Sequence, residues 1–110
     1  MLAAVLHDFN QLRLEDVPPP HAEKFGEGVV QIKPCGFCAT DYKAIKGIRK
    51  NVNFPLIPGH EPSGVVVEVG PGVTQFSVGD EVICMPSGSC GFCEHCRSGY
   101  SHYCEHAFTT

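Results

Sequence analysis

Four cysteines near the end of the chain have the spacing of a metal site. Two residues separate Cys90 from Cys93 and Cys93 from Cys96, and seven separate Cys96 from Cys104. Each two-residue gap lets a tight turn bring successive sulfurs toward one point, and the seven-residue stretch can return the fourth thiolate to close a tetrahedron. We therefore predict a structural zinc site. Because four protein ligands leave zinc no open position, chemistry must be sought elsewhere in the chain.

Cys38 and His60 form a second candidate pair, twenty-two residues apart, each predicted to lie where a strand meets a loop. On spacing alone this pair is weak evidence, because a lone His is more often a structural residue than a ligand. Cys35 is predicted to be a small buried thiol, with the alternative that it completes a makeshift metal site. Further predictions place Cys84 in the core, His95 facing water beside the cluster, and His7, His21, His102 and His106 in solvent.

Composition limits the class of protein. A chain of 110 residues is one domain at most, and its nine prolines, twelve glycines and short valine-rich runs favour a mainly β fold. A formal net charge of −4 disfavours nucleic acid as a partner. Neither a signal peptide nor a membrane span is predicted, so a cytoplasmic location is expected. In that reducing compartment seven cysteines are more typical of ligands or free thiols than of disulfides.

Short strands must position these residues. Alternation, valine content and turn residues predict strands over 2–6, 12–17, 29–33, 63–69 and 81–85, with a largely buried ladder at 63–69. Pro34 is predicted to end the third strand, with a turn over 35–38. A short helix is predicted from a cap at Thr40 or Asp41 to Lys46, with Gly47 as its terminator.

The order of these motifs resembles that of the zinc-dependent alcohol dehydrogenases of the medium-chain dehydrogenase/reductase superfamily. The matching strings are Cys38-Ala39-Thr40-Asp41, Pro58-Gly59-His60-Glu61, residues 64–70, residues 78–82 and the four-cysteine lobe. The resemblance implies a GroES-like, partly open β-barrel over residues 1–110, with short helices and a protruding zinc lobe at about 86–106. The family's nucleotide-binding Rossmann domain is not expected in this chain, which has no dinucleotide fingerprint between a strand and a helix.

The resemblance also assigns roles to residues. It makes Cys38 and His60 ligands of a catalytic zinc, Glu61 a carboxylate at that metal, and Thr40 the hydroxyl that contacts the substrate. Asp41 is implied to orient the metal shell. The implied reaction is NAD(P)-dependent oxidation of a small-molecule alcohol, or reduction of a carbonyl compound, by zinc-assisted hydride transfer. Full-length relatives are expected to be homo-oligomers.

Two departures from the family pattern bear on activity. Many relatives have a His where Lys43 stands, so the family's outer proton relay is in question here. The family's third catalytic ligand and its cofactor domain lie beyond the position of Thr110. The chain is therefore expected to be a fragment that is inactive by itself.

Other classes of function remain open on the sequence. They are a zinc-organised interaction module without catalytic activity, an iron–sulfur carrier and a co-chaperonin. The ferredoxin pattern closes with three residues and Cys-Pro, whereas seven residues precede Cys104 here. Within the dehydrogenase interpretation, primary alcohols, polyols, amino alcohols and aldehydes all remain candidate substrates, and NAD and NADP candidate cofactors.

Overall fold

Short β-strands dominate the computed structural model, which describes residues 1–109. The strands are β1 (Leu2–Leu6), β2 (Leu12–Asp16), β3 (Gly28–Gly36), β4 (Glu61–Val69), β5 (Glu81–Ile83), β6 (Ser87–Gly88) and β7 (Phe108–Thr109). Two short helices, α1 (Ala39–Ile45) and α2 (Glu94–Arg97), and a 3-10 turn at Ser101–Tyr103 complete the elements. The predicted mainly β class is confirmed. Within residues 1–109 no helix has the length and apolar character needed to cross a membrane.

The described strands form three antiparallel sheets. Strands β1 and β2 form a hairpin, β3, β4 and β5 form a three-stranded sheet in that order, and β6 pairs with β7. In the β3–β4 pair, Gly28 lies opposite Val69 and Gly36 lies opposite Glu61. The segment that follows β3 is therefore brought beside the segment that precedes β4.

Strand β3 runs through Pro34, so the predicted strand end at Pro34 and the predicted turn over 35–38 are wrong. The register with β4 shifts between Ile32 and Cys35, which then lies opposite Pro62. A proline lacks the N–H that a regular ladder requires, and an irregularity of this kind is where a strand tolerates one. The strand consequently continues almost to the first turn of α1.

The predicted cap at Thr40 or Asp41 is wrong: Cys38 is the N-cap, so helix α1 begins two residues earlier than a cap at Thr40 would place it. The Cys38 sulfur accepts a hydrogen bond from the backbone N–H of Thr40, and the Asp41 side chain accepts one from the backbone N–H of Cys38. Asp41 thus closes a capping box from inside the helix. Gly47 ends the helix as predicted, with a φ of 70° in the left-handed region that glycine adopts readily.

The β1–β2 hairpin supports both ends of the segment that follows α1. Leu6 is fully buried and exchanges two backbone hydrogen bonds with Leu56, at 2.7 and 3.0 Å. At the hairpin tip, Asn10 has a φ of 61° and its N–H donates to the carbonyl of Ile45 at 2.7 Å. These bonds connect the end of α1 and the loop after it to the β1–β2 hairpin.

Burial corrects three sequence predictions. Strand β4 is not largely buried: Gly64 and Val66 are buried, but Val67 is 45% exposed. Cys35 is exposed instead of buried, and Cys84 is half-buried and lies after β5, which ends at Ile83. The β3–β4–β5 sheet has a three-residue edge strand, which leaves much of its surface open to solvent.

Gly64 is a position in β4 where the neighbouring strand leaves no room for a side chain. A Cβ atom there would lie 2.2 Å from the backbone oxygen of Gln31 in the neighbouring strand. We expect Gly64→Ala to lower the free energy of unfolding by about 3 kcal/mol, because the two strands must separate. The matched control is Gly28→Ala, whose Cβ would make an ordinary contact at 3.4 Å with the Glu68 oxygen. Equal midpoints of urea unfolding for the two variants would contradict this prediction.

Candidate metal centres

The four cysteines of the predicted zinc site do converge in space. Their sulfur atoms all lie within 4.8 Å of one another, with Cys90 and Cys96 separated by 4.0 Å and Cys93 and Cys104 also by 4.0 Å. Helix α2 starts directly after Cys93, and the 3-10 turn ends directly before Cys104. Cys93 and Cys104 are buried. Two short helical turns therefore build the cluster within one lobe.

Backbone N–H groups point at the sulfurs of this cluster. Cys93 N–H donates to the Cys90 sulfur at 3.4 Å, and Cys90 N–H and His106 N–H each donate to the Cys104 sulfur at 3.3 Å. Hydrogen bonds of this kind stabilise the thiolate form, which is the form that binds metal. The backbone of the lobe is thus oriented to stabilise negative charge on these sulfurs.

The pKa values of the cluster show why a cation fits it. Backbone N–H groups lower the pKa of Cys93 to about 6 and also lower the pKa of Cys104. Burial, with the neighbouring sulfurs adding to it, raises the pKa of Cys96 to about 12. Four thiolates this close repel one another unless a positive charge lies between them. A tetrahedral, all-sulfur donor set is the one that structural zinc takes, and the cluster fits it.

The histidines outside the two centres are exposed, as predicted. His95 is not among the groups that converge on the cluster, and its Nε2 atom lies 3.8 Å from a carboxylate oxygen of Glu105. His7 pairs with Glu15 at 2.6 Å, and the His106 ring stacks on Phe92. These are surface contacts.

A second group of side chains that could bind a metal ion comes from two separate places in the chain. One donor atom each from Cys38, His60 and Glu61 lies within 4.8 Å of the other two. Cys38 follows the end of β3 and caps α1, while His60 precedes β4 and Glu61 begins it. The antiparallel pairing of Gly36 with Glu61 brings these strand ends together across twenty-two residues of sequence.

Asp41 connects Cys38 and His60, the two parts of this group that are distant in sequence. Its side chain is 7% exposed, and one carboxylate oxygen accepts the Cys38 backbone N–H at 3.0 Å. The other oxygen lies 3.1 Å from Nδ1 of His60. When Nδ1 of His60 donates its hydrogen to Asp41, Nε2 is left with a free lone pair, which is the form that binds a metal.

The remaining electrostatics favour the thiolate form of Cys38 and the protonated form of His60. The backbone N–H and hydroxyl of Thr40 lower the pKa of the Cys38 thiol, and His60 adds to this effect. The Cys38 sulfur, with a further contribution from Asp41, raises the pKa of His60. The sulfur is therefore biased toward the thiolate and the imidazole toward its protonated form, because each charge stabilises the other. A metal cation bound between them would stabilise the thiolate in place of that proton.

Gly36 was not singled out by the sequence and yet shapes this site. A Cβ atom there would lie 2.5 Å from a carboxylate oxygen of Glu61, so the absence of a side chain leaves room for that carboxylate. The strand register is what pairs the two residues. Nothing local in the sequence around Gly36 signals this contact.

A cavity of about 360 Å³ opens beside Thr40, Asp41 and His60. Its wall continues along the loop after α1. That part of the wall includes Ala44, Arg49, Asn51, Val52, Asn53, Leu56 and Ile57. Thr40 lies at the cavity with its hydroxyl oxygen 3.6 Å from the Cys38 sulfur. These loop residues were not identified from the sequence as part of a site, although the sequence has a run of basic and amide side chains there.

Comparison with known proteins gives a family match. The model of the family described as the alcohol dehydrogenase GroES-like domain matches residues 24–110. An alcohol dehydrogenase of Geobacillus stearothermophilus is 45% identical over 108 residues, which cover 96% of this chain and 32% of that protein. An S-(hydroxymethyl)glutathione dehydrogenase of Escherichia coli is 45% identical over 89 residues, which cover 81% of this chain and 23% of that protein.

Solved structures agree with the sequence match. The crystal structure of an NAD-dependent alcohol dehydrogenase superposes with a TM-score of 0.85 at 34% identity, covering 99% of this chain and 33% of that one. The chain thus spans about a third or less of the length of these relatives. Its GroES-like fold, with a zinc-compatible cysteine lobe, agrees with the fold that the motifs predict.

Proposed function

Because the chain belongs to the alcohol dehydrogenase GroES-like domain family, we propose that it forms the zinc-binding, substrate-side part of an NAD(P)-dependent alcohol dehydrogenase. The observation that carries this proposal is the convergence of Cys38, His60 and Glu61 beside a cavity that Thr40 also lines. Three protein donors leave zinc an open position, which is the mark of a catalytic site. A zinc-organised interaction module does not require a metal site with an open coordination position.

The residues at the second centre fit a catalytic zinc in their donor chemistry. A thiolate, an imidazole and a carboxylate are all ligands that zinc accepts, and Asp41 holds the imidazole in the tautomer that ligation needs. Zinc bound there would supply Lewis acidity toward a substrate hydroxyl or carbonyl group, and a nicotinamide dinucleotide would exchange the hydride.

Thr40 is the proposed proton-handling group. Its hydroxyl lies at the cavity, within 3.6 Å of the Cys38 sulfur, so a substrate hydroxyl that reaches the metal ligands also reaches Thr40. The hydroxyl can accept a hydrogen bond from the substrate and donate one onward. Lys43 is exposed and does not line the cavity, so we propose that the proton passes from Thr40 to solvent without an imidazole relay.

The whole reaction and its context stay proposals for the protein that carries this chain. Hydride exchange with NAD(P) requires a dinucleotide-binding region, and the chain spans about a third or less of its relatives. A small-molecule alcohol or carbonyl substrate, homo-oligomeric assembly and a cytoplasmic location are expected on the same grounds. By themselves, residues 1–110 are expected to bind metal ions but not to catalyse turnover of a substrate.

Cobalt replacement tests this function directly. We expect two Co²⁺ ions per chain, one with the intense charge-transfer absorption of an all-thiolate site and one with weaker absorption from a single thiolate. Adding 1,4-butanediol should change the visible bands of the second ion and leave those of the first, because only the second site has an open position. One Co²⁺ per chain, or two that are both indifferent to the alcohol, would contradict the proposal.

A further inference from the structure

We propose that Arg49 makes this cavity selective for alcohols or carbonyl compounds that also carry an anionic group, a carboxylate or a phosphate. The inference rests on the proposed function and goes beyond it by naming the class of substrate. Its basis is that Arg49 lines the same cavity as Thr40 and His60.

Arg49 is the one Lys or Arg residue among the residues that line the cavity, and Asp41 is the one carboxylate. The two charges do not cancel, because Asp41 is buried and its two oxygens are occupied by the Cys38 N–H and the His60 ring. The rest of the wall is apolar or uncharged. The cavity therefore has a metal-binding end and a cationic end.

The Arg49 side chain has no protein partner within residues 1–109: it takes part in no ion pair and in no side-chain hydrogen bond there. Its backbone, in contrast, is anchored. The N–H groups of Ile48 and Arg49 both donate to the carbonyl of Lys43, at 2.9 and 3.0 Å. A fixed backbone that carries an unpaired guanidinium suits bidentate recognition of a carboxylate or phosphate.

The surrounding charge strengthens the same preference. Residues 42–59 include Lys43, Lys46, Arg49 and Lys50 and no acidic residue, although the chain as a whole has a formal charge of −4. Half of its eight Lys and Arg residues therefore lie in this one segment. Lys50 packs over the Phe9 ring, 5.3 Å from its centroid, and does not line the cavity. The neighbouring lysines thus contribute a positive potential while Arg49 supplies the contact.

The length of α1 indicates that the two functional groups of the substrate are not adjacent. The helix rises about 8 Å along its axis from Thr40, in its first turn, to its last residue, Ile45, and Arg49 follows that end. The anionic group and the reacting carbon are consequently separated by several bonds. A 4-hydroxy acid or a hydroxyalkyl phosphate meets this requirement better than a 2-hydroxy acid.

Affinities for matched ligands test the inference. In the metal-loaded protein we measure binding of 4-hydroxybutyrate, 4-hydroxybutyl phosphate and neutral 1,4-butanediol by calorimetry and by the shift of the Co²⁺ bands. We expect at least one anion to bind about 10-fold or more tightly than the diol, as a charge-assisted hydrogen bond allows. The comparison of 4-hydroxybutyrate with 4-hydroxybutyl phosphate shows whether the cavity prefers a carboxylate or a phosphate.

Arg49→Gln should bring the ratio of anion to diol affinity close to one, and Arg49→Lys should restore part of it. Lys46→Gln is the matched control, since Lys46 belongs to the same basic segment but does not line the cavity. Unchanged selectivity in Arg49→Gln overturns the inference, and so does weakened binding of ADP-ribose with no change in selectivity, which would assign Arg49 to a nucleotide. If 1,4-butanediol binds and neither anion is preferred, this inference alone fails; if no alcohol affects the cobalt bands, the proposed function fails.

Discussion

Cys93→Ser is expected to release one zinc ion per chain and to unfold the lobe around it, while the strands of the β1–β2 and β3–β4–β5 sheets persist. Serine has nearly the same volume as cysteine, so the loss comes from the ligand and not from packing. Structural zinc contributes about 10–16 kcal/mol in small zinc-binding peptides, and one ligand of four accounts for about 3 kcal/mol. The variant should therefore bind zinc a hundred-fold or more weakly and lose it on dialysis against a chelator of intermediate affinity, which the wild-type lobe resists.

The lobe has little else to stabilise it. Its buried residues within the described chain are Cys93 and Cys104 themselves, and its aromatic side chains Phe92, Tyr100 and Tyr103 are exposed. Without metal, sulfurs that lie within 4.8 Å of one another are held together by two short helical turns and a few N–H···S hydrogen bonds. Removing the metal therefore removes the centre of the lobe.

Zinc content by atomic absorption and the amide NMR spectrum provide the measurement. The matched control is Cys84→Ser, a half-buried thiol that belongs to neither metal group and should retain all zinc. If Cys93→Ser keeps its full zinc content and the dispersed amide signals of residues 90–104, the cluster is not a zinc site.

Cys38→Ser should remove the second metal and leave the cluster zinc in place. The substitution separates two roles of one residue, because serine is among the best N-cap residues whereas its hydroxyl is a poor zinc ligand. Helix α1 should keep its capping box with Asp41, and so its position. In the protein that carries the cofactor-binding region, we expect dehydrogenase activity to fall by at least about 10³-fold, as expected for loss of a catalytic metal ligand.

The experiment has two matched variants. Cys38→Ala loses the cap as well as the ligand and should be less stable than Cys38→Ser by about 1 kcal/mol. Cys35→Ser changes a nearby exposed thiol that is not among the converging donors, so its metal content should stay at the wild-type value. A Cys35→Ser protein that loses the second metal would revive the makeshift site, and a Cys38→Ser protein that retains it would refute the proposed ligand.

The four-cysteine cluster could be predicted from the sequence because its geometry is local. Gaps of two, two and seven residues leave the chain few ways to place the sulfurs, and two short turns within residues 90–104 are sufficient to do so. The strands of the hairpin and the glycine that ends α1 were predictable for the same reason. Each depends on neighbours within a few residues.

The second centre depends on contacts that are distant in sequence, and there the sequence was less informative. Cys38 and His60 were connected by family resemblance, whereas physically they meet because β3 passes through Pro34 and pairs with β4 up to Gly36 and Glu61. The predicted strand β3 ended too early, because the local sequence does not show that a register shift would accommodate Pro34.

By itself, then, the sequence determined the four-cysteine lobe, the mainly β class and the candidate side chains of the second centre. Only the tertiary structure decided that Gly36 leaves room for Glu61, that Asp41 joins the Cys38 backbone to His60, and that Arg49 shares their cavity. The physical reason is strand register: one antiparallel pairing brings residues far apart in sequence to the same end of a sheet, and a shift of a single position would separate them.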